Sequence, residues 1–76
     1  MTGNMRRLAR LIAMIAFKEA LDTQIEILEF EIEQNTNVEL TQLLTQELLR
    51  VTVENLSASR DILRMARSLN LRVSHV

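Results

Sequence analysis

The sequence predicts an all-α fold, in which two long antiparallel helices form a helical hairpin that dimerises into a four-helix bundle. Three observations predict it. The chain has no proline and a single glycine in 76 residues, so the punctuation that β-rich folds need is missing. Strong helix formers dominate from Met5 to Gln34 and again from Val38 to about Leu69. Only Asn35-Thr36-Asn37 interrupts them. The expected layout is a single domain over residues 1–76, with a helix over about 4–34, a loop at 35–37, a helix over about 38–70 and a frayed tail at 71–76.

Thr2 or Asn4 is a suitable cap for the first helix. Its seam stripe steps three and four residues at a time through Leu11, Met14, Leu21, Ile25, Leu28 and Ile32. Lys18 falls within the stripe, where it can bury its stem and carry its amine to water. Leu28 to Glu33 alternates apolar and acidic residues, which is the strand period. It reads as helix nevertheless, because it continues a helical pattern without a breaker and glutamate disfavours strands. In the loop, Thr36 with Glu39 matches a capping box. The second helix offers Leu44, Leu48, Val51, Ala58, Ile62, Met65 and Leu69, with Leu28 and Leu48 expected near the centre of the seam. Asn55 interrupts this stripe, and a polar residue there fixes register at some cost in stability. Asn70 fits a left-handed C-terminal cap.

The first helix has a second apolar face. Ala9, Ala13, Ala16, Ala20, Thr23, Ile27 and Phe30 also repeat at heptad spacing, small at one end and bulky at the other. Leu49, Val53, Leu56 and Leu63 form an extra strip on the second helix. A two-helix hairpin has one seam, so these strips call for another occupant. The alanine-containing face is the expected dimer interface, with a two-fold axis near Ala20 and small residues set against large ones, and the strip through Leu49, Leu56 and Leu63 is the alternative.

Charge is segregated along the chain. Residues 1–20 carry +3, residues 21–54 carry −7 and residues 55–76 carry +3, for a net −1. A hairpin therefore has a basic open end and an acidic loop end. Antiparallel pairing of two first helices sets Arg6, Arg7 and Arg10 against Glu33, Glu31 and Glu29 of the other copy. The same placement opposes the macrodipole of the first helix, so helix stability alone does not explain it.

Catalytic and cofactor chemistry find little support. There is no cysteine and one histidine, His75, next to the chain end. The acids Asp22, Glu26, Glu29 and Glu33 share a helical face but lack the histidines that helical di-metal sites use. No phosphate loop or nucleophile motif is present, so the expectation is a non-enzyme without cofactor or metal. No apolar run approaches the ~18 residues of a membrane span, and the expected location is cytoplasmic. The function expected is a protein–protein interaction module: a homodimeric adaptor, chaperone or regulator that binds itself and another protein. Arg60, Arg64 and Arg67, with the first arginine cluster, supply the alternative, a dimeric regulator gripping RNA or DNA. An aromatic content of 3% argues against base stacking.

Overall fold

A computed structural model describes residues 2–69 as two α-helices, α1 (Thr2–Gln34) and α2 (Val38–Ser68), packed against each other. The hairpin measures 55 × 19 × 15 Å. The alternating segment Leu28 to Glu33 is helical throughout. With no breaker before Asn35, each backbone N–H there keeps its partner four residues back, and that outweighs a short strand-like pattern.

The helix ends correct two expectations. Asn37, rather than Thr36, caps α2: its backbone is extended (φ −84°, ψ 117°) and its side chain accepts a bond from the Leu40 N–H at 3.1 Å. Asn35 prepares this geometry by accepting the Asn37 N–H at 2.8 Å. Asparagine caps at least as well as threonine, and Glu39 then lies in the first turn, where its charge suits the helix dipole. Asn4 lies inside α1 and is no cap. At the other end the Leu69 N–H reaches the carbonyls of Met65 and Ala66 at 3.2 and 3.1 Å. The expected cap at Asn70, the tail and His75 lie outside the described residues.

The seam follows the expected stripes. Leu11, Leu21, Val51 and Ile62 are buried, and Met14, Ile25, Leu28, Ile32, Leu44, Leu48, Ala58, Met65 and Leu69 are half-buried. Their spacing is a strict heptad in both helices, the repeat of left-handed supercoils. With seam residues at positions a and d, positions e and b flank a, positions g and c flank d, and f lies at the back. Ala66, at position e, is also buried, because a one-carbon side chain lets α1 approach closely there.

The depth of burial shifts the expected centre of the seam. Val51 and Leu21 retain 1% and 4% of their exposure, whereas Leu28 and Leu48 are only half-buried. Leu21→Ala should therefore cost about 2–5 kcal/mol, and Leu28→Ala less. Urea melts of both variants at equal chain concentration check the order, and equal losses would contradict this core.

Candidate interaction surfaces

Asn55 is the polar residue of the seam, and it has a cross-helix partner. Its side-chain amide donates to Asp22 Oδ1 at 2.6 Å. Lys18 Nζ reaches the same carboxylate at 3.2 Å, so the amine on the seam stripe ends on a partner from its own helix. The Asn55 amide is the largest cause that holds the Asp22 carboxyl below the usual carboxylate range; desolvation opposes it, and Lys18 adds to the lowering. This trio is the side-chain hydrogen-bond link between the helices among the described residues.

The ion pairs are local. Lys18 pairs with Asp22, Arg50 with Glu47 and Glu54, and Arg64 with Asp61 at 3.9 Å, each within one helix. Glu47 is held below the ordinary range by Arg50. Among the described residues, Arg6, Arg7, Arg10, Arg60 and Arg67 form no ion pair, and neither do Glu26, Glu29, Glu31, Glu33 and Glu39. The basic and acidic poles stand at opposite ends of a 55 Å rod, too far apart to neutralise each other within one chain.

All seven residues of the alanine-containing face are exposed, with Ile27 and Phe30 at 55% and 60%. They occupy positions c and f, behind the seam. Leu49, Val53 and Leu56 of α2 are exposed as well, and Leu63 is half-buried. The threonines within these strips do not break them. Thr23, Thr45 and Thr52 each donate their hydroxyl to the carbonyl four residues back, at 3.1, 2.8 and 2.7 Å. With the hydroxyls satisfied inside the helix, their need for water is removed.

A further strip escaped the sequence reading. Met5, Leu8, Ile12 and Ile15, at positions b and e, are exposed, as is Phe17. The signal was available: Leu11 to Phe17 is apolar at every heptad position, so one seam cannot cover it. Beyond Ile15 the same stripe turns acidic through Glu19, Asp22, Glu26, Glu29 and Glu33.

The two sides of the hairpin differ. One side is a shallow groove of 390 Å³ lined by Arg10, Ala13 and Phe17 of α1 and by Glu54, Ser57 and Asp61 of α2, all at g and c. Toward the open end it continues into a groove of 550 Å³ whose lining includes Arg7, Arg10 and Arg64 together with Asp61. The structure thus brings Arg64 to the first arginine cluster, while Arg60 and Arg67 lie at position f on the back of α2. The expected acidic set is likewise divided, since Glu31 shares position g with Arg10 whereas Glu29 and Glu33 lie on the e and b side. The opposite side carries Leu8, Ile12 and Ile15 on α1 and Leu49, Leu56 and Leu63 on α2.

No helix among the described residues is long and apolar enough to cross a membrane. No family model, curated protein or solved structure matches the chain. Its surfaces therefore have to carry the functional argument.

The Asp22 environment sets an acid response. A carboxyl held low in the folded state contributes stability that is present above its unfolded pKa of about 4 and is lost as pH falls through the lower folded value. Asp22 is nearly half exposed, so solvent reduces the effect. Asn55→Leu should flatten the fall in melting temperature below about pH 4, read by circular dichroism. A slope equal to that of the parent would remove Asn55 as its cause.

Proposed function

We propose that this chain is a non-enzymatic protein–protein interaction module that works as a homodimer, in the manner of a small adaptor, chaperone or regulator. The observation that carries the reading is the surplus of apolar surface. Five hydrophobic residues are buried, against thirteen large ones exposed among the described residues. Scattered exposed apolar residues are ordinary on any protein, but contiguous strips along two helices are not. A chain of 76 residues without disulfides also has little core to stand on alone.

Self-association through the back of α1 accounts for the pattern. With two α1 helices antiparallel about an axis near Ala20, Ala9 meets Phe30, Ala13 meets Ile27, and Ala16 meets Thr23. The arginine pole of each copy then lies over the acidic pole of the other, which supports this orientation against the parallel one. Strips left open by the dimer are available to a client protein.

A second reading has one specific observation behind it. Arg7, Arg10 and Arg64 line one open-end groove, a placement suited to phosphates of RNA or DNA. Nucleic-acid binding that weakens steeply with salt and is lost on neutralising these three arginines would favour it.

Ala16→Glu should dissociate the dimer, because it sets a charge against a close-packed helix. Sedimentation velocity at micromolar concentration checks this by a halving of mass. A variant that keeps the parent mass would exclude the back of α1 as the interface.

A further inference from the structure

The side of the hairpin away from the arginine groove is lined by positions e and b of both helices. On α2 it has a wall of Leu49, Leu56 and Leu63, beside which position e carries only the short Thr45, Thr52, Ser59 and Ala66. On α1 the same two positions run from Met5 through Leu8, Ile12 and Ile15, and are then acidic from Glu19 to Glu33. The bond between Asp22 and Asn55 sets these walls at matching heights. Counting outward from it at about 1.5 Å per residue, Leu63 lies level with Met14, Leu56 with Leu21 and Leu49 with Leu28. The leucine wall thus continues past Ile15 and lies opposite the acids. Near the open end the trough is apolar on both walls; toward the loop it is apolar on one wall and acidic on the other.

Its charge is one-sided. Among the described residues, neither helix places an arginine or lysine at position b or e. Lys18 reaches round from the seam to Asp22, but Glu19, Glu26, Glu29 and Glu33 form no ion pair. The arginine side differs, because there Arg50 pairs with Glu47 and Glu54, and Arg64 with Asp61.

We infer that this trough is a docking site for one amphipathic helix of another protein, apolar on the edge that faces α2 and bearing lysines or arginines on the edge over the acids of α1. The site rests on the interaction-module reading and gives its client a chemistry, but it is independent of the homodimer, whose face lies at positions c and f. A third helix seated between two others buries an apolar stripe in a ready-made groove. The short side chains at position e leave room for its backbone to come close. Charge selects this occupant over the others. A second copy offering the same face brings five more acids and no base to meet them. The phosphates of a nucleic acid or of an anionic membrane meet the same repulsion. From Leu8 to Glu33 the trough is about 38 Å long, which suits a helix of about 25 residues.

Two fluorescein-labelled peptides of about 25 residues serve as probes. Each has leucines along one face, with lysines beside them in either its N-terminal or its C-terminal half, so that both helix directions are sampled. Control peptides carry glutamate in place of lysine. In anisotropy titrations with the full chain, one lysine peptide should bind about tenfold more tightly than its control, by a margin that shrinks with salt. Combining Glu26→Gln, Glu29→Gln and Glu33→Gln should weaken it about tenfold. Leu56→Ser should weaken it as well, whereas Phe17→Ser, in the opposite groove, should not. All these side chains are exposed in the single chain, so the variants keep the seam. Failure of both lysine peptides to bind, equal affinity for a lysine peptide and its control, or binding indifferent to the three glutamines or to Leu56→Ser overturns the site. Sedimentation covers the remaining occupant. A dimeric parent that Leu56→Glu dissociates shows a second copy in the trough and overturns the basic helix there. A monomeric parent removes the homodimer alone, and the peptide titrations still decide this site.

Discussion

The hydrogen bond between Asp22 and Asn55 fixes the hairpin to which every surface refers. Leucine and valine seams tolerate sliding by a heptad, because each apolar residue finds a similar neighbour in the next position. A polar amide in the seam does not, since a shift would take the half-buried Asn55 away from its Asp22 partner. Lys18 adds to the specificity by placing its amine on the same carboxylate, 3.2 Å away. Register in turn decides which residues share a height, and so brings Arg7, Arg10 and Arg64 to one groove. The seam gives up some apolar burial at its middle for this definition.

That seam leaves the helices with more apolar surface than it can use. In α1 the run Leu11 to Phe17 covers every heptad position, and only Leu11 within it is buried. Such a helix has more apolar faces than a two-helix seam can cover. The acids that take over the stripe from Glu19 onward end that character abruptly. α2 shows the complementary order, with apolar Leu49, Val53 and Leu56 in its first part and Arg60, Arg64 and Arg67 in its second. Each end of the rod thus combines an apolar stretch on one helix with a charged stretch on the other.

The fold was legible because helical periodicity and the absence of breakers are local properties. Both seam stripes, with Asn55 interrupting the second, followed from spacing alone. The cap was not legible to the residue, since Thr36 and Asn37 are both good caps and only the extended backbone of Asn37 decides between them. The partner of Asn55 was hidden for a different reason. Asp22 lies at position e, just off the seam, and looked like one acid in a stripe of acids. The exposure of Met5, Leu8, Ile12 and Ile15 was missed because attention to heptad repeats favours two faces, and this helix has three. Charge segregation was plain in the sequence, but only the hairpin shows that, among the described residues, Arg6, Arg7 and Arg10 form no ion pair.

The direction of the charges is the remaining argument for a reversed neighbour. α1 has no acid in its first turn and no base in its last, and instead carries arginines near its start and glutamates at its end. Glu31 and Glu33, in the last turn, each oppose the helix dipole by about 0.3–1 kcal/mol, and the arginines, which lie beyond the first turn, oppose it less. α2 has the ordinary arrangement, with Glu39 in its first turn and Arg67 in its last. An isolated hairpin therefore gains nothing from the pattern in α1. Beside an antiparallel α1 from another copy the sign changes. The arginines then lie next to the partner helix's exposed carbonyls and its glutamates, and the glutamates next to the partner's unpaired N–H groups and arginines. A parallel copy would double the conflict. The local cost thus becomes a preference for one orientation, and that orientation is also the one that sets alanine against phenylalanine.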